Sequence, residues 1–251
     1  MDRAALKLVD FSHLASGAES APVGERFPYG LGRTGVHEVC ARAYGDGPAA
    51  TGFALAAGLA EAKTGAVAFI SLIQKARDGG QLCARGLASL GARPERFFHI
   101  EARKPGEALW AVEEAVTSSA VACVVAECAD LDFTASRRLA LASQARGTPV
   151  ILLLDHRRSG PTAAQGRWRI ETRLSAPNRL NARGLGRARW DAQLERSRTA
   201  PEAIGRRHTL EFDDATLSLH LAGELAPRQA SPRSPQTPAA YPIETGLRRT
   251  G

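Results

Sequence analysis

The 251-residue chain is long enough to bury a substantial core, and its 44% apolar content suits a folded protein. No stretch approaches the ~18 consecutive apolar residues of a membrane helix, and Met1–Lys7 has no apolar run before a cleavage site, so a cytoplasmic protein with no membrane partner is expected. Cys40, Cys83, Cys123 and Cys128 form no C-x-x-C and no histidine stands at a zinc-like spacing from them, which predicts free thiols and no metal.

In chain order, a short helix is predicted over 3–14, then a Gly/Pro/Ser-rich link to Gly35; together they make an N-terminal segment, 1–35. Residues 36–41 read as a strand, and 54–62 as an Ala/Leu-rich helix with Leu55 and Leu59 at i, i+4. Strands follow at 66–72 and 96–100 with a helix at 81–90 between them. A helix over 105–116 takes Pro105 in its first turn. The continuous apolar run 121–126 suits a strand covered on both faces. Asp132 is placed to cap a helix that Gly147 ends, and 149–154 is another buried strand. Such alternation predicts an α/β fold, a mainly parallel sheet flanked by helices. Beyond Arg158 the pattern becomes period two, at 167–174, 189–196, 208–212 and 217–221, predicting antiparallel strands that extend the sheet. One domain over 36–222 is expected, and the Pro-rich tail, 223–251, is expected to be disordered.

Between the first strand and helix lies Gly47-Pro-Ala-Ala-Thr51-Gly52-Phe53-Ala54, which keeps the G-x-x-x-x-G frame of a phosphate loop. A working loop continues with Lys, which reaches the β/γ-phosphates, and Ser/Thr, which holds Mg²⁺. Phe53 and Ala54 do neither, so Gly47, Thr51 and Gly52 read as a degenerate loop that has kept strand–loop–helix context and lost its chemistry. Lys63 lies about two turns further on, too far to substitute, and Lys75 further still.

Charge is unevenly placed. The chain carries +7 overall, and residues 157–207 hold thirteen arginines against four acids (Glu171, Asp191, Glu195, Glu202). A polyanionic partner and a set of solvated arginines explain this segment equally well.

The glycine loop, Ala68-Phe69-Ile70, the segment 83–87, the segment 106–109 and the strand 120–127 follow one another as in RecA recombinases. With Val36–Val39, Ala108–Ala115, Leu131–Leu139 and Arg167–Ile170, the chain resembles more closely the ImuA family, RecA-like accessory proteins of bacterial damage-induced mutagenesis. The likeness spans about residues 25–222 and implies a RecA-like sheet. It puts Phe53 at the lysine position and Ala54 at the Mg²⁺ position, with Ser71-Leu72-Ile73 where a recombinase carries its water-activating glutamate. Glu127 stands at the strand-end carboxylate; a single carboxylate rarely holds Mg²⁺, so a solvated role is favoured and no cofactor is expected. Arg196 and Arg198 fall where recombinases reach a neighbour's nucleotide, and Arg248 and Arg249 sit in a tail segment suited to docking a partner. By this resemblance the chain is a non-catalytic accessory protein of SOS translesion synthesis. It would bind an ImuB-like Y-family polymerase homologue or RecA, and through them serve an error-prone DNA polymerase. Two other readings use the same stripped core: a SulA-like inhibitor of cell division, and a sequence-independent DNA-binding protein.

Overall fold

The computed structural model describes residues 28–222 apart from 63, 130, 179–180, 182 and 214–216. The predicted N-terminal helix, Lys63 and the tail with Arg248 and Arg249 lie outside the described residues. Nine strands form one sheet: β1 Val36–Ala41, β2 Ala66–Leu72, β3 Phe97–Ala102, β4 Val121–Glu127, β5 Val150–Leu154, β6 Gly166–Arg173, β7 Arg189–Ser197, β8 Arg207–Asp213 and β9 Ser218–Leu221. Their order is β3-β2-β4-β5-β1-β6-β7-β8-β9. Neighbours from β3 to β6 are parallel, and β7, β8 and β9 add on antiparallel. The expected α/β class, with a parallel core and antiparallel extension, is the observed one.

Alternation within the parallel strands divides the core in two, because successive side chains point to opposite faces. Val39, Phe69, Val125, Ile151, Trp168 and Ile170 line one face, covered by α1 Gly47–Glu61. Val36, Ile70, Val124, Val150 and Leu152 line the other, under α4 Pro105–Thr117 and α5 Phe133–Arg146. Asp132 caps α5 by accepting from the Ala135 N–H at 2.6 Å, and Gly147 closes it with a left-handed φ of 71°, as the sequence predicted. α1 is apolar nearly all round because the sheet curls over it: Trp190, Leu194, Leu210, Phe212 and Leu219 of β7–β9 join the same core as Phe53 and Leu55.

Local propensity and tertiary structure part company in three places. Helix 81–90 shrinks to α3 Ala84–Ser89, and an unpredicted α2, Ile73–Gly79, precedes it. Gly80, with a φ of 94°, ends α2 and breaks the run between them. Residues 28–32, read as the end of a linker, are buried, with Tyr29 stacked over Trp168 at 6.0 Å between ring centroids. Gly32 is required there: its φ is +76°, and an added Cβ would lie 2.9 Å from the Ala57 carbonyl oxygen.

His37 and Glu38, a neighbouring pair in sequence, face opposite sides of the sheet. Burial pushes the His37 imidazole down from 6.5 to about 4, against a smaller opposing contribution from the Thr34 backbone. The unfolded chain therefore takes up a proton that the folded chain refuses. This part of the stability is whole above pH 6.5 and is lost as pH falls toward 4, by up to about 3 kcal/mol. His208, lowered by burial and then by Arg206, acts in the same direction. Urea melts between pH 7 and 4 should show this slope, and His37→Gln should flatten most of it.

Candidate functional site

Parallel α/β sheets present their ligand sites at the carboxyl ends of the strands. At that edge β1 leads through a single 3₁₀ turn, Tyr44–Asp46, straight into α1. Gly47, Thr51 and Gly52 are thus the first turns of the helix and not a loop ahead of it. An ordinary αR conformation holds at Gly47 (φ −51°, ψ −54°), and an added Cβ would meet nothing within 4 Å there and only Trp190 at 3.7 Å from Gly52. Neither glycine is demanded by geometry. Gly52→Ala should accordingly stabilise the fold by about 0.5–1 kcal/mol in thermal or urea melts, the usual gain within a helix.

Phe53 turns inward. It is 1% exposed and lies 6.2 Å from Trp168 between ring centroids. Ala54 beside it is fully buried. Asp46 immediately precedes the helix: its Oδ2 accepts from the Ala43 N–H at 3.1 Å and its Oδ1 from the Thr172 N–H at 2.9 Å. Desolvation raises the Asp46 carboxyl, but the bonds from Thr172 and Ala43 and the charge of Arg42 outweigh it and hold the group below its usual range. The start of α1 is therefore next to a carboxylate already fixed by the chain, which opposes an approaching phosphate.

Ser71, the position the resemblance gives to a water-activating glutamate, is buried and its hydroxyl shares a 2.8 Å hydrogen bond with His99 Nε2. Gln74 donates to Asp78 along α2. Glu127 is not simply solvated: its Oε2 accepts from the Leu72 N–H at 3.0 Å and ties the ends of β4 and β2 together. Among the described residues no group of three or more His, Cys, Asp or Glu side chains is placed to hold a metal ion. A cavity of about 240 Å³ opens beyond β4 and β5, lined by Ala129, Leu154, Asp155, Arg157, Arg158 and Ser159. It is smaller than the usual small-molecule pocket and takes no residue from β1 or α1.

The arginine segment acquires a clear structural use. A parallel crossover is usually a helix, which satisfies its own backbone. The β5–β6 crossover, 155–165, contains no helix. Guanidinium groups bind its carbonyls instead. Arg169 donates to His156 O at 2.6 Å and Arg158 O at 3.0 Å, Arg167 to Gly160 O at 3.2 Å, Arg158 to Pro161 O at 3.4 Å and Arg198 to Thr162 O at 3.2 Å. Glu38 anchors this array. Fully buried, it accepts from Arg167 Nε at 2.6 Å, from the Thr162 hydroxyl at 2.7 Å and from Arg158 at 3.5 Å. Thr162 in turn meets Ser136 of α5 at 3.1 Å.

Further arginines are consumed on the face of β6–β8 that no described helix covers. Arg169 pairs with Glu195, Arg173 with Asp191, Arg42 with Glu171 and Arg189 with Glu211. Glu211 stands directly opposite Arg189 on the neighbouring strand, and Glu195 and Asp191 lie diagonally, two residues on from the positions opposite Arg169 and Arg173. A smaller basic cluster lies beside them. Arg196, Arg206 and Arg207 are exposed, form no ion pair with a described residue, and gather where β7 meets β8, since the Arg206 carbonyl receives the Leu194 N–H at 3.1 Å. Arg196 thus stays exposed, whereas Arg198 holds the crossover. Sequence reasoning missed Asp46, the crossover and the partners of Glu38, because only the pairing of distant strands brings these groups together. The alternation of arginine with acid along β6 and β7 was the one available signal.

All four cysteines are free. Burial pushes Cys40 up to about 11 and Cys123 and Cys128 up to about 12. Exposed Cys83 is lowered by the backbone N–H groups of Gly86 and Arg85. No described helix is long and apolar enough to cross a membrane.

No family model matches the chain. Curated relatives do: Protein ImuA from each of two strains of Caulobacter vibrioides is 37% identical over 186 residues, covering 67% of this chain and 72% of the relative.

Proposed function

The chain belongs to the ImuA family, and from that premise we propose that it is a non-catalytic accessory protein of damage-induced mutagenesis. It acts by contact within the error-prone translesion machinery, binding an ImuB-like Y-family polymerase homologue, RecA or both. The observation that carries this reading is Phe53. The residue in the phosphate-contacting position is packed into the core against Trp168, and Asp46 stands at the start of the same helix. Ser71, at the position the resemblance gives to the water-activating glutamate, brings no carboxylate to take a proton, which supports the non-catalytic reading. Affinity capture of purified ImuB-like protein and RecA tests the proposal directly. Binding of at least one, with no ATP turnover by the chain, is expected; failure to bind either overturns it. The tail, 223–251, is proposed as a docking peptide, so its removal should weaken that binding.

One observation favours a second reading, direct DNA binding. Arg196, Arg206 and Arg207 are exposed near the β7–β8 connection and in no ion pair with a described residue. Three phosphate contacts to a single strand give a salt slope of about −2 in log K against log[salt]. A slope near zero removes DNA from the account.

A further inference from the structure

β3 is the terminal strand, paired on one side with β2 and with no described strand on the other. An edge strand offers a row of free backbone donors and acceptors, and soluble proteins ordinarily blunt such edges with charge, proline or a bulge. β3 does the opposite. Phe98 and Ile100 lie on one face of it, opposite Ala68 and Ile70 of β2 in register, and remain 51% and 38% exposed. The strand runs unbroken in register with β2 from Phe97 to Ala102.

We propose that β3 joins two copies of the chain, antiparallel, about a two-fold axis at His99. The sequence of the edge is complementary to itself in this arrangement. Phe98 of each copy falls opposite Ile100 of the other, giving two apolar cross-strand pairs on the face that α4 covers. Phe97 falls opposite Glu101, whose aliphatic stem can lie along the ring. Because an antiparallel pair about a perpendicular two-fold axis keeps each sheet's faces aligned, α4 of both copies lies on the same side and the two sheets become continuous. The surface is isologous and closes at two copies, which separates it from an open head-to-tail filament. It lies at the end of the sheet opposite β7–β9, so it leaves the basic cluster free and does not depend on the accessory role.

Sedimentation velocity of the full chain over a hundredfold range of concentration tests this. A monomer–dimer equilibrium is expected. The double substitution Phe98→Lys/Ile100→Lys should raise the dissociation constant at least about tenfold, since lysine on an edge opposes pairing. In a Cys83→Ser background, His99→Cys should form a symmetric disulfide on mild oxidation, because residues directly opposite in an antiparallel pair approach to about 4.5–5.5 Å between Cα atoms. Hydrogen exchange of the unaltered chain guards against a misfolded variant: protection of 97–102 should fall on dilution. A monomer at every concentration overturns the proposal. So does a dimer that survives the lysine pair, or one in which 97–102 exchanges equally fast at all concentrations.

Discussion

Glu38→Ala destabilises the fold by about 3–5 kcal/mol, read from urea unfolding. The carboxylate is fully buried between β1, β6 and the β5–β6 crossover, and it is the shared acceptor for Arg167, Arg158 and Thr162. Removing it leaves the Arg167 guanidinium without its counter-charge in a region that water does not reach, and an uncompensated buried charge costs more than the pair itself contributed. The crossover feels the loss as well, since Arg167 and Arg158 also hold the carbonyls of Gly160 and Pro161. Residues 155–165 should therefore lose amide protection before the parallel strands do. The comparison variant is Glu195→Ala, whose pair with Arg169 reaches the surface and should cost within about 1 kcal/mol. Equal losses in the two variants would show that the buried network does not fasten the crossover.

Phe53→Lys, which puts a lysine at the position the resemblance aligns with that of a working phosphate loop, destabilises the chain by at least about 3–5 kcal/mol and yields no ATP turnover. The first part follows from packing. Phe53 fills the core between α1 and β6, so the substitution removes its apolar contacts and also buries an ammonium beneath Trp168. The second part follows from the edge around it. Asp46 is fixed at the helix start, Gly47–Gly52 is already helical, and no carboxylate replaces Ser71 as a base. Phe53→Leu keeps most of the apolar volume and should cost less than about 1.5 kcal/mol. Should Phe53→Lys fold normally and hydrolyse ATP, the edge would have to be an intact nucleotide site, and the accessory reading would lose its main support.

The candidate site shows where sequence patterns stop carrying information. G-x-x-x-x-G is a spacing, and spacing does not separate a loop from a helical turn. Gly47 and Gly52 satisfy the motif while adopting the conformation any residue can take. The identities of Phe53 and Ala54 carried the useful message, because no backbone arrangement gives a phenyl ring a lysine's chemistry. Arginine density was similarly ambiguous. Thirteen arginines in 157–207 looked like a polyanion surface, yet Arg158, Arg167, Arg169 and Arg198 bond to a crossover that has no helix to satisfy its own carbonyls. Arg173 and Arg189 pair with Asp191 and Glu211. Among the described residues, Arg196, Arg206 and Arg207 lie near one another without an ion pair, as do the more scattered Arg157 and Arg183.

The sequence alone determined the layered α/β architecture. Continuous apolar runs such as 121–126 need cover on both faces, period-two segments such as 189–196 need it on one, and residues such as Asp132 and Gly147 set helix ends locally. These are properties of neighbouring residues, legible without the fold. Only the tertiary structure decided which strands are neighbours, and with it the partners of Glu38, the burial of Phe53 and the exposure of β3. A charge is paired or free, and an edge open or covered, according to contacts between residues far apart in the chain, and no local pattern encodes those.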